Sequence, residues 1–187
     1  MDKKIDIEKI ESSFRNILEA LGEDTNREGL VETPKRVAVS YGELFSGLLK
    51  DPKDVLARKF SVEKDDLVME KNIDFYSMCE HHFLPFFGKV DIAYIPNGKI
   101  VGFGDLIKVI DILSKRPQIQ ERLCGQIADA IYEALECQGV MVIITARHMC
   151  MTMRGEKRAN SEIITTAYRG VFEDDSLRRN EVLSLLK

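Results

Sequence analysis

Apolar side chains in the first third of the chain recur at helical spacing. Ile7, Ile10, Phe14, Ile17, Leu18 and Leu21 line one face of a helix that the pattern ends at Gly22. Thr33-Pro34 has the signature of an N-cap followed by a first-turn proline, and Val37, Ala38, Tyr41, Leu44 and Phe45 carry a second helix to Gly47. From Leu67 the period changes. Leu67 to Met78 and Gly88 to Ile95 read as strands, and Asn97-Gly98 predicts a hairpin into Ile100 to Phe103. Helical spacing returns in Leu106 to Leu113. After Arg116-Pro117 it runs again through Ile119, Leu123, Ile127, Ile131 and Leu135, with Gly139 as the expected stop. Val140 to Ala146 is apolar up to Thr145, as in a strand covered on both faces, and Ile163 to Val171 is its expected partner. A short, peripheral helix is expected from Asp174. The pattern predicts an α+β chain, with residues 1–65 a helical segment and residues 66–187 the main domain.

At 187 residues and 44% hydrophobic, the chain can bury one core. None of its apolar runs reaches the length of a membrane span, and the N-terminus lacks the apolar stretch of a signal peptide, so a soluble, cytoplasmic protein is expected. A formal charge of -4 argues against nucleic acid as a partner and confines any polyanion to a local basic pocket. Four cysteines in such a chain point to metal binding or plain burial rather than disulfides.

The three histidines fall in two short segments that also hold two of the cysteines, Cys79-Glu80-His81-His82 and His148-Met149-Cys150. Thiolate and imidazole are the donors zinc prefers, and three of them leave a coordination position for water. In an extended strand His148 and Cys150 would share a face, while His81 and His82 would point apart, so only one of the latter pair is expected to bind. Spacing leaves open which. The remaining imidazoles suit proton transfer. Cys124 and Cys137, with no histidine nearby, read as small apolar side chains. Gln120-Glu121 opens a helix, where a carboxylate is favoured by free backbone N–H groups. The same pair could hydrogen-bond the N1–H and 2-amino edge of guanine. Arg147, Arg154, Lys157 and Arg158 form either a solvated face or a phosphate contact.

These segments resemble the GTP cyclohydrolase I family. The resemblance rests on Gly22-Glu23-Asp24, Arg27-Glu28-Gly29-Leu30, Thr33-Pro34-Lys35-Arg36-Val37-Ala38, Ser77-Met78-Cys79-Glu80-His81-His82, Arg116-Pro117-Gln118-Ile119-Gln120-Glu121-Arg122-Leu123 and the run His148 to Gly155, all in order. It implies the tunnelling fold, an antiparallel sheet with two packed helices, in a homodecamer with active sites between subunits. It also implies Zn2+ on Cys79, His82 and Cys150, with His81 and His148 as the acid/base pair. GTP would be held by Gln120, Glu121 and Glu80 at the base and by Arg154, Arg36 and Lys108 nearer the phosphates. The products would be formate and 7,8-dihydroneopterin triphosphate, in tetrahydrofolate biosynthesis and under allosteric control.

One stretch departs from the family. Where relatives read Gly-Leu-Ser-Lys-Leu-x-Arg, this chain has Gly102-Phe103-Gly104-Asp105-Leu106-Ile107-Lys108. An aspartate in place of a lysine near phosphate costs about 4 kcal/mol at roughly 4 Å in an effective dielectric near 20. Asp105 turned away, compensation by Arg147, a paralogue taking another guanine nucleotide, and a non-catalytic zinc-stabilised purine or pterin module are the alternatives this leaves.

Overall fold

The computed structural model describes residues 4–186. The chain opens with helices α1 (Ile7–Ala20) and α2 (Thr33–Leu44), a 3-10 turn over Ser46–Leu49 and the short helix α3 (Pro52–Val55). Asp6 caps α1 by accepting from the Lys9 N–H at 2.9 Å. Thr33 is not the cap of α2. It is the first helical residue, ahead of Pro34, and its hydroxyl donates to the Gly29 carbonyl at 3.3 Å.

A small sheet pairs β1 (Lys59–Ser61) with β4 (Lys99–Val101). The main sheet contains β2 (Val68–Cys79), β3 (Pro85–Ile95), β5 (Pro117–Gln118), β6 (Gly139–His148) and β7 (Ile163–Gly170), in the order β5-β2-β3-β6-β7. Its pairs are antiparallel, except that β5 runs parallel to the end of β2. Helices α4 (Phe103–Ser114) and α5 (Gln120–Leu135) pack on this sheet, giving the α+β arrangement expected of a tunnelling-fold chain. The one-turn helix α6 (Met149–Thr152) follows β6, and α7 (Val171–Asp174) and α8 (Ser176–Leu185) close the chain.

The core forms where α4 and α5 meet the sheet. Leu123, Ile127, Ile131 and Leu135 present one face of α5 to Val140, Val142 and Ile144 of β6, and all are fully buried. At about 1.5–3 kcal/mol for each large apolar side chain, this face suffices to fix the helix on the sheet. Gly88 permits the closest approach of β3 to β6, because a Cβ there would lie 1.9 Å from the Thr145 carbonyl oxygen. The opposite sheet face is not bare. Phe172 and Val182 from the C-terminal helices are buried there against Ala93, Ile95, Met141 and Ile143, so the C-terminal segment is a second small core rather than a peripheral tail.

Two sequence expectations fail for definable reasons. Asn97-Gly98 does make a turn, with Gly98 at φ +76°, but the strand after it does not return along β3. Both edges of β3 are filled by β2 and β6, and the Ile95 carbonyl accepts from the Gln138 N–H. The chain after the turn pairs instead with β1. Gly139 does not end α5. Glu136 does so, in the left-handed region at φ 49°, and Gly139 already belongs to β6. No described helix is long and apolar enough to cross a membrane.

Candidate active site

At the end of β2 the chain folds into a tight turn. The Phe83 N–H donates to the Cys79 carbonyl at 2.8 Å and the Cys79 N–H to the Leu84 carbonyl at 2.9 Å, which closes the turn around Glu80, His81 and His82. Phe83 adopts φ +51°, and its ring packs on Phe45 of the N-terminal segment at 5.6 Å between centroids. The Glu80 N–H donates to the Gln118 carbonyl at 3.0 Å, so β5 carries the turn from one side.

At the end of β6 the expectation of an extended His148-Met149-Cys150 fails. The strand ends at His148 and the chain turns into α6, so alternation along a strand does not govern where Cys150 points. The helical turn nevertheless brings the Cys150 thiol to the first segment. The donor atoms of Cys79, His82 and Cys150 all lie within 4.8 Å of one another. Cys79 is buried, Cys150 half-buried and His82 exposed, so the group opens to solvent on the imidazole side. Burial, and then the neighbouring Cys79 thiol, push the Cys150 thiol up. Two soft sulfur donors and one imidazole converging on a point form a donor set suited to zinc, one donor short of the four that close a structural site. Cys124 and Cys137 stay apart from this group as buried side chains, each pushed up to about 11 by burial.

The other two histidines lie outside that triad. His81 is exposed, its ring nearly perpendicular to that of His82 at 6.3 Å. His148 stacks on Phe86, its partner across β3 and β6, with centroids 4.6 Å apart and planes 5° apart. Burial lowers its pKa, with Glu121 opposing. Its Nε2 lies 2.8 Å from Gln120 Oε1.

The residues implied for substrate differ in how free they are. Glu121 is exposed on the first turn of α5. Gln120 is 1% exposed, and its amide nitrogen lies 3.0 Å from the Ile144 carbonyl, 2.9 Å from that of Ile163 and 3.2 Å from Thr165 Oγ1. The side chain expected to share the base edge is therefore turned into the protein. Glu80 is bound by Arg122, whose guanidinium holds the carboxyl below its usual range. Arg122 also donates to Gln118 Oε1 at 2.9 Å and to the Pro117 carbonyl at 2.9 Å. The sequence alone gives Arg122 no role, although its i,i+4 spacing from Gln118 is visible there. Arg36 and Arg154 are exposed. Asp105 pairs with Lys108 at 2.8 Å, and Arg147 with Glu162 at 3.1 Å, so the arginine offered in compensation for Asp105 already has a partner of its own.

The sequence profile of the family described as GTP cyclohydrolase I matches residues 10–187. A GTP cyclohydrolase 1 from Fusobacterium nucleatum subsp. nucleatum is 58% identical over 187 residues, covering all of both chains. Another, from Geobacillus kaustophilus, is 56% identical over 98% of each. The solved archaeosine synthase QueF-Like in its apo form is similar at 19% identity and a TM-score of 0.43, over 56% of this chain and 93% of that one. On the family profile and the full-length relatives, this chain is an enzyme that belongs to the GTP cyclohydrolase I family.

Proposed function

We propose that the chain is a zinc-dependent GTP cyclohydrolase I that hydrolyses and rearranges GTP to 7,8-dihydroneopterin triphosphate with release of formate. The observation that carries this reading is the convergence of Cys79, His82 and Cys150, a group of three donors where a closed zinc site has four. When bound there, zinc supplies the Lewis acidity that makes water a nucleophile near neutral pH.

The rest falls to the chain. Glu121 accepts from the N1–H and 2-amino group of guanine. His148 protonates N7, which draws electrons from C8 and prepares it for attack by water. His81, exposed beside the donor group, assists opening of the imidazole ring and the ribose. Arg154, Arg36 and Lys108 meet the phosphates, and Glu80 acts through Arg122 on the turn that carries the donors. Residues 66–187 serve as the catalytic domain, with 1–65 as the mainly helical N-terminal segment, which also supplies β1 and whose Phe45 packs on Phe83 of the donor turn. Assembly into a homodecamer with sites between subunits suits the sheet. Among the described residues, β7 and most of β2 have a neighbouring strand on one side only, and such edges favour pairing with another copy.

A second reading, a paralogue taking a less phosphorylated guanine nucleotide, is favoured by Asp105, which ties up Lys108. The deciding experiment incubates zinc-loaded protein with GTP and with other guanine nucleotides while formate and pterin fluorescence are followed. Formate from GTP supports the main reading, and formate from another guanine nucleotide alone supports the second. Binding without turnover of any of them overturns both and leaves a zinc-stabilised purine or pterin module.

A further inference from the structure

We propose that Gln120 is a positioning residue that keeps the proton of the neutral His148 ring on Nε2, in a single tautomer, leaving Nδ1 as the ring nitrogen that takes up the proton then passed to N7. The inference rests on the proposed function only for what His148 then does; the tautomer itself follows from packing. A carboxamide has one accepting and one donating end, and ordinarily either could face a given neighbour. Here the backbone removes the choice. Gln120 Nε2 lies between the carbonyl oxygens of Ile144 and Ile163, at 3.0 and 2.9 Å, with Thr165 Oγ1 at 3.2 Å. Reversing the amide would set its oxygen against two carbonyl oxygens with no hydrogen between them, and at 1% exposure no bulk solvent relieves that repulsion.

The oxygen must therefore face His148, and an oxygen of this kind only accepts. At 2.8 Å the partner Nε2 has to carry a hydrogen, because a lone pair there would oppose the lone pairs of Oε1. Phe86 lies parallel beneath the ring at 4.6 Å and holds its plane in line with the amide. Ile144 belongs to β6 and Ile163 and Thr165 to β7, so the amide is locked by two strands and transmits that rigidity to one imidazole nitrogen. A cross-tie of α5 to the sheet would need only the nitrogen end of this amide; the oxygen end serves His148 alone.

The test uses full-length zinc-loaded protein containing 15N-labelled histidine. The chain has three histidines, and the His148→Ala spectrum assigns the one that disappears. At about pH 8.5, where the imidazole is neutral, His148 is expected to show a protonated Nε2 and an unprotonated Nδ1. Gln120→Met should give a mixture of tautomers and lower kcat for formate release by about tenfold or more, with KM for GTP unchanged. A wild-type ring protonated on Nδ1 overturns the proposal. So does a Gln120→Met enzyme whose KM rises at constant kcat, which would mean that Gln120 binds the base, or one in which neither constant moves. If Gln120→Met does not fold, the wild-type spectrum decides alone. Absence of formate from wild-type protein and GTP would count against the proposed function, while the tautomer would still be read directly.

Discussion

At the start of α5, Gln118, Gln120 and Arg122 commit their polar groups to the protein: to backbone carbonyls, to Glu80 and to His148. At the start of α4, Asp105 and Lys108 commit theirs to each other, with the Lys108 side chain 61% exposed. Both stretches belong to the substrate region that the family resemblance implies, yet they are built to different rules. Removing the buried amide of Gln118 or Gln120 strands a buried partner, a loss of about 1–3 kcal/mol. Altering the α4 pair disturbs an exposed i,i+3 contact worth about 1 kcal/mol at most. The stretch carrying Gln118 and Gln120 is tied into buried hydrogen bonds, and the stretch that departs from the family lies where change is cheap.

Four substitutions test this contrast. Cys79→Ala removes a donor that the α5 side supports. Zinc affinity should fall by more than the roughly 100-fold typical of losing a supporting contact, taking formate release with it; stoichiometric zinc in the purified variant would refute the donor assignment. His148→Ala should keep zinc at one per chain by metal analysis while turnover drops about 10²–10⁴-fold. Arg122→Met should weaken zinc about 10- to 100-fold in competition with a chromophoric chelator, by releasing Glu80 and Gln118; unchanged affinity would reduce that network to surface decoration. Asp105→Asn, on the looser side, should free Lys108 and tighten GTP binding by about fivefold at most. A dissociation constant that does not move would place Asp105 outside the phosphate site.

Much of the fold was legible because burial repeats. The α5 face and the unbroken apolar run of β6 state their environments directly, and both lie in the core. What failed was information held by neighbours. Nothing within Asn97-Gly98 reveals that β3 has no free edge, and Lys59-Phe60-Ser61, three exposed residues, carries no alternation by which β1 could be found. The donor group was legible in composition, since thiols and imidazoles clustered. Strand alternation does not reach Cys150, because β6 gives way to a helical turn at Met149. For Gln120 the residue type allowed either a base contact or an internal tie, and only the carbonyls of Ile144 and Ile163, far away in sequence, separate the two.

Phe83, immediately after His82, occupies backbone space that side-chain-bearing residues visit at a cost of about 1–3 kcal/mol. Its ring, wedged on Phe45, keeps it there. The turn that carries Cys79 and His82 is thus braced by the polypeptide itself. Swapping one divalent ion for another should leave the outline of the turn as it was, so differences in rate among such forms would report the temperament of each ion and not a rebuilt loop.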